Sequence, residues 1–92
     1  MPRIVIYTTS SCPYCIAAKR LLAQKGVSFE EISVDNDPAA RAKMSERAGG
    51  RRTVPQIFLG ESHVGGCDDL YALEEAGRLD ALLSATESTS SA

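Results

Sequence analysis

Ile4-Val5-Ile6-Tyr7-Thr8-Thr9-Ser10-Ser11-Cys12-Pro13-Tyr14-Cys15 is the stretch that decides the fold. Its first part is β-branched and aromatic and carries no charge, so residues 3–8 read as a strand apolar on both faces. Such a strand suits the middle of a sheet covered on both sides. The next four residues are a polar loop. Pro13 then fits the first position of a helix, where a missing N–H costs nothing, and this makes Cys12 the N-cap. Cys15, Ala18, Leu21 and Leu22 follow at helical spacing while Lys19 and Gln24 fall outside it. Lys25-Gly26 closes the helix, glycine taking the left-handed position after the last turn.

Working outward, residues 27–34 alternate loosely around Phe29, Ile32 and Val34 and predict a second strand. Asp37-Pro38 is an N-cap followed by a first-turn proline. It opens a second helix with Ala40, Met44 and Ala48 along one face. Gly49-Gly50-Arg51-Arg52 is a loop. Residues 56–59 and 63–64 flank the turn Gly60-Glu61-Ser62 and predict a hairpin. Residues 68–76 predict a third helix, stopped by Gly77, and Leu79, Leu82 and Leu83 mark a short last one. The order β-α-β-α-β-β-α-α implies a parallel pair with a right-handed crossover, extended by antiparallel strands. The expected class is α/β, a four-stranded mixed sheet flanked by helices. Residues 1–84 form one domain and residues 85–92 a short frayed tail.

The 92 residues are 43% hydrophobic and 24% charged, ordinary values for a globular domain, with a formal charge of −2 that argues against a general nucleic-acid binder. The charges are uneven. Residues 1–52 hold nine Lys/Arg against five Asp/Glu, and residues 53–92 one against seven. Two differently charged solvated faces account for this, with a basic side that attracts acidic partners as the alternative. No apolar run is long enough for a membrane span or a signal peptide, and the expected location is the cytoplasm. Three cysteines are too few for a secreted disulfide framework. A zinc site needs about four ligands, and beyond Cys12 and Cys15 only Cys67 and the lone His63 remain. No metal is expected, and the pair is read as redox-active.

At the N-cap, the Cys12 sulfur faces the unpaired N–H groups of the first helical turn and the positive end of its dipole. Both favour thiolate over thiol. An unperturbed cysteine is only about 3% ionised at pH 7, so this placement marks Cys12 as the nucleophile. Residues i and i+3 of a helix have Cα atoms about 5 Å apart, inside the ~4.4–6.8 Å window of a disulfide. Cys15, a turn further in and facing the core, is the resolving thiol.

Two further segments bear on the site. Thr53-Val54-Pro55 precedes the third strand, where proline is compatible with a sheet as a simple edge device. The sharper expectation is a cis Val54–Pro55 bond that leaves the Val54 backbone free to pair with an extended peptide-like thiol. Gly65-Gly66-Cys67-Asp68-Asp69 enters the third helix. Its N-terminus favours a carboxylate and Asp68 an ammonium, which together describe an α-amino-acid end. Helix capping by Asp68 and Asp69 explains the same residues equally well.

Cys12-Pro13-Tyr14-Cys15, Thr53-Val54-Pro55-Gln56-Ile57-Phe58 and Gly65-Gly66-Cys67-Asp68-Asp69-Leu70, in that order, closely resemble the glutaredoxins of the small dithiol bacterial type. The likeness runs from Ile4 to about Leu83. It implies a thioredoxin-like fold and a glutathione-dependent oxidoreductase that reduces protein–glutathione mixed disulfides and protein disulfides. Glutathione would be the electron donor, no cofactor would be tightly bound, and the chain would act as a monomer. Cys12 and Cys15 would form the redox-active disulfide. By likeness, Val54 would pair with the cysteinyl backbone of glutathione, and Cys67 and Asp68 would hold its γ-glutamyl end. Tyr14 would flank it, while Thr53, Pro55 and Gly66 would line the groove. One departure stands out: many members carry Lys three residues before the first cysteine, where this chain has Thr9, and Arg51 or Arg52 could supply the missing charge. An iron–sulfur carrier and a redoxin fed by thioredoxin reductase are the alternatives. The first is disfavoured by Pro13 and Cys15, the second by the groove at Asp68. Cys67 is expected to face the core, with an oxidisable regulatory thiol as the competing role.

Overall fold

A computed structural model describes residues 4–60 and 62–84. The elements are β1 (Ile4–Thr8), α1 (Pro13–Gln24), β2 (Glu30–Ser33), α2 (Pro38–Arg47), β3 (Gln56–Leu59), β4 (Ser62–Gly65) and α3 (Cys67–Glu75), and residues 79–84 form a last short helix. The sheet runs β2-β1-β3-β4. β1 pairs parallel with β2 and antiparallel with β3, and β4 closes the antiparallel hairpin. The α/β class, the mixed four-stranded sheet and the element order are as the sequence predicts.

β1 lies in the middle of the sheet and is covered on both sides, as its unbroken apolar run requires. Ile4 and Ile6 join Leu21, Leu22, Leu70 and Leu79 in one core, beneath α1 and α3. Tyr7 and Phe58, pointing to the other face, join Met44 and Ala48 of the α2 segment. Alternation along a strand thus feeds two cores at once. Truncating a central side chain such as Phe58, 1% exposed, to alanine costs about 3–5 kcal/mol. Lys25, at the C-cap of α1, bridges Glu74 (2.7 Å) and Asp80 (3.0 Å), tying that end of the helix to α3 and the last helix.

The structure corrects three boundaries. β2 spans only Glu30–Ser33, because this edge strand pairs solely with residues Val5–Thr8 of β1 and the 27–29 segment has no strand beside it. Ser62 belongs to β4, where it pairs with Leu59, so the hairpin turn is shorter than the sequence suggested; Glu61 and the 85–92 tail lie outside the described residues. α3 begins at Cys67, one residue early, with Gly66 as its N-cap.

Candidate active site

The β1–α1 junction places Cys12 as the sequence predicts. It is the N-cap of α1, in extended backbone (φ −94°, ψ 111°), with Pro13 at the first helical position. Its Sγ accepts the Cys15 N–H at 3.4 Å, one of the donors that a helix start leaves unpaired. The same sulfur lies 3.6 Å from the Val54 carbonyl, to which the thiol form donates its proton. Once that proton leaves, the carbonyl loses its partner and the Cys15 N–H keeps its own.

All three cysteines are free, but they differ in environment. Cys12 is half-buried, while Cys15 is 1% exposed and packed behind it. Burial first, and then its interaction with the Cys12 sulfur, push the Cys15 thiol up to about 12. The Lys19 ammonium acts the other way on Cys15. That ammonium is 3.0 Å from Glu31, whose carboxylate also accepts the Thr8 hydroxyl at 2.7 Å. Both contacts hold the Glu31 carboxyl below its usual range, the Thr8 hydrogen bond most. Cys67, 8% exposed, joins the core under α1 and α3, and burial raises its thiol, with Asp68 and Cys12 adding to the effect.

Beside Cys12 lies an open groove of about 130 Å³. It is lined by Tyr14, Thr53, Val54, Pro55, Gly66, Cys67 and Asp68, the set the resemblance implies, and in addition by Arg51 and Asp69. The Val54–Pro55 bond is cis, as expected. Tyr14 is exposed at 63% and stands open to solvent.

The two adjacent aspartates have separate tasks. Asp69, at the third position of α3, reaches back to accept the Gly66 N–H at 2.8 Å and also pairs with Arg51 Nη1 at 3.2 Å. This is half of a capping box, since Gly66 has no side chain to reciprocate. The Gly66 N–H chiefly, with help from Arg51, lowers the Asp69 carboxyl below the usual range. Asp68 is exposed and lines the groove. Capping therefore accounts for Asp69 and leaves Asp68 to the groove.

Of the two loop arginines, Arg51 is the one that lines the groove. Arg52 offers its backbone carbonyl to Arg41 at 2.9 Å. Gly65 makes the Arg51–Asp69 bridge possible. With φ at +120°, a Cβ there would collide with the Asp69 carboxylate and press on Arg51. Among the described residues, no group of three or more His, Cys, Asp or Glu could hold a metal ion, and no helix is long and apolar enough to cross a membrane.

A half-buried thiol held by a helix N–H, with a second thiol stacked one turn behind it, is equipped to exchange a disulfide with an outside sulfur and then close one of its own. These features define a dithiol oxidoreductase on a thioredoxin-like sheet. The chain belongs to the glutaredoxin family, whose family profile matches residues 4–64. It is 65% identical over 85 residues to a glutaredoxin of Pseudomonas aeruginosa, an alignment covering 92% of this chain and all of that one. In three dimensions it is similar to the solution structure of glutaredoxin from Brucella melitensis (59% identity, TM-score 0.78, covering 90% of this chain and 89% of that one). It is also similar to the crystal structure of a buckwheat glutaredoxin–glutathione complex (31% identity, TM-score 0.84, covering 92% and 79%). The chain is thus a thiol–disulfide oxidoreductase of the glutaredoxin type.

Proposed function

We propose that the chain reduces protein–glutathione mixed disulfides, and disulfides within proteins, with glutathione as the electron donor. In the first reaction the Cys12 thiolate attacks the glutathione sulfur of a mixed disulfide. A Cys12–glutathione disulfide forms and the substrate protein leaves as a thiolate, which takes up a proton. A second glutathione thiolate then attacks the glutathione sulfur, releasing oxidised glutathione and returning Cys12 as thiolate. In the second reaction Cys12 attacks a protein disulfide. Cys15 loses its proton and attacks Cys12, the substrate leaves fully reduced, and Cys12–Cys15 remains as a disulfide for two glutathiones to reopen.

The observation that carries this reading is the unequal environment of the two thiols. Part of what keeps Cys15 protonated comes from the Cys12 sulfur itself. When Cys12 enters a mixed disulfide that part is lost, while burial, the larger cause, stays; this favours reaction of Cys15 after Cys12. Val54, Tyr14, Thr53, Pro55, Gly66, Cys67 and Asp68 form the proposed glutathione groove, with Asp68 toward the γ-glutamyl ammonium and the start of α3 toward its carboxylate. Arg51, paired with Asp69, is the cationic side chain of the groove, where Thr9 carries no charge. Protein substrates meeting a groove formed within a single chain, a monomer and a cytoplasmic site of action belong to the same reading.

The test is a comparison of Cys12→Ser and Cys15→Ser in glutathione-coupled assays. Cys12→Ser loses every activity. Cys15→Ser keeps the reduction of glutathione mixed disulfides and loses most protein-disulfide reduction. A Cys15→Ser protein as inactive as Cys12→Ser on glutathione mixed disulfides overturns the division of labour.

A further inference from the structure

Gln56, the first residue of β3, is a polar side chain with 0% exposure. A buried amide is costly unless its groups are paired, and here each is. Nε2 donates to the Thr53 carbonyl at 2.9 Å and to the Thr53 hydroxyl at 3.2 Å. Oε1 lies 2.6 Å from His63 Nε2. With both amide hydrogens spent on Thr53, Oε1 accepts and His63 Nε2 carries the hydrogen. Turning the amide over would set its oxygen against the Thr53 carbonyl, so the orientation is fixed. His63 is fixed in turn by stacking on Phe58, with ring centroids 4.9 Å apart and planes 30° apart.

The consequence lies one bond further on. The Thr53–Val54 peptide is trans and planar, so its C=O and N–H point in opposite directions. Because Gln56 holds the Thr53 carbonyl against the buried end of β3, the Val54 N–H is directed away from it. We infer that Gln56, oriented by His63, is a positioning residue that fixes the Thr53–Val54 peptide plane and so aims the Val54 N–H at the backbone carbonyl of bound glutathione. This rests on the reading of Val54 as a glutathione contact. Neither Gln56 nor His63 lines the groove, so both act through Thr53.

The experiment uses one fluorescent peptide whose cysteine is disulfide-linked either to glutathione or to cysteamine, which has no peptide backbone to engage Val54. Pre-reduced full-length protein is mixed with each, and the second-order rate constants are compared within each variant, so that the folded fraction cancels. Wild type reacts faster with the glutathione adduct. Gln56→Leu lowers that rate about fivefold to tenfold and leaves the cysteamine rate unchanged, as expected for the loss of a fixed hydrogen-bond donor. His63→Phe keeps the stack on Phe58 and removes only the N–H to Gln56. It lowers the glutathione rate about twofold to fourfold. If wild type prefers the glutathione adduct and both variants keep the full preference, the positioning role is overturned while the groove stands. Equal losses on both substrates overturn it too. If wild type shows no preference, the glutathione reading of the groove fails and takes this inference with it.

Discussion

Replacing Asp68 and Asp69 one at a time separates two tasks that their adjacency in the sequence conceals. Asp69→Ala removes the acceptor of the Gly66 N–H and the partner of Arg51. Loss of a cap acceptor costs about 1 kcal/mol. The ion pair, with both side chains 48% exposed, adds at most about 0.5–1 kcal/mol. The sum, about 1–2 kcal/mol, lowers the melting temperature of a domain this size by about 4–16 °C. The effect depends on pH in a defined direction. The Asp69 carboxyl is lowered in the folded state, so its contribution is complete above the ordinary carboxylate range near ~3.9. It fades as pH falls through the lower, folded value. Wild type and Asp69→Ala therefore converge in acid. Asp69→Asn keeps an acceptor for Gly66 but loses the charge, and falls between the two at neutral pH. Asp68→Ala leaves the melting temperature within about 2–4 °C, as an exposed substitution should, and instead raises the KM for glutathione about tenfold. Thermal unfolding followed by circular dichroism and glutathione kinetics on wild type and the three variants make the comparison. If Asp68→Ala melts as low as Asp69→Ala with an unchanged KM, the assignment of one aspartate to the helix and the other to the groove is refuted.

Gly65→Ala destabilises by about 2 kcal/mol or more, because an alanine at φ +120° is strained and its Cβ displaces the Asp69 carboxylate; a melting temperature equal to wild type would contradict this. Iodoacetamide at pH 6 labels Cys12 in the native protein, while Cys15, its thiol pushed up to about 12, and the buried Cys67 label far more slowly; peptide mapping showing equal labelling of all three would contradict the asymmetry. Arg51→Ala raises the KM for glutathione about twofold to fivefold at low salt, with the difference narrowing at high ionic strength because the side chain is half exposed; a salt-independent KM would remove the electrostatic role.

The fold was largely legible because its strongest signals are local. An uninterrupted apolar strand, a proline directly after a capping residue and glycines at helix ends each name one backbone state. Gly26 and Gly77 take the positive φ values, both +72°, that their positions after helices implied. What stayed hidden was set by partners distant in the chain. The alternation over 27–34 cannot show where β1 ends, yet β1 decides how much of that segment pairs. The sequence places the start of α3 one residue late, because the adjacent Asp68 and Asp69 read as capping residues. Here the nearest carboxylate works from inside the helix, reaching back from the third position to the N–H of Gly66.

The same distinction runs through the site. Cys12, Cys15, Val54 and Asp68 stand out because each belongs to a short segment whose chemistry is readable where it lies. Arg51 does not, since nothing local separates it from Arg52. The choice is made by the path of the loop, which leaves Gly49 and Gly50 at φ +67° and +97° and turns one arginine toward α3 and the groove. Arg41 meanwhile fixes the backbone at the other through the Arg52 carbonyl. Gln56 is a parallel case. In sequence it is a polar residue at the head of a strand, and only the hairpin brings His63 across from β4 to fix which end of its amide faces Thr53. The nucleophile and its resolving partner are therefore properties of one helix start. The charge and the aim of the groove beside them arise from contacts that form only when α3 and β4 close against the cis-proline loop.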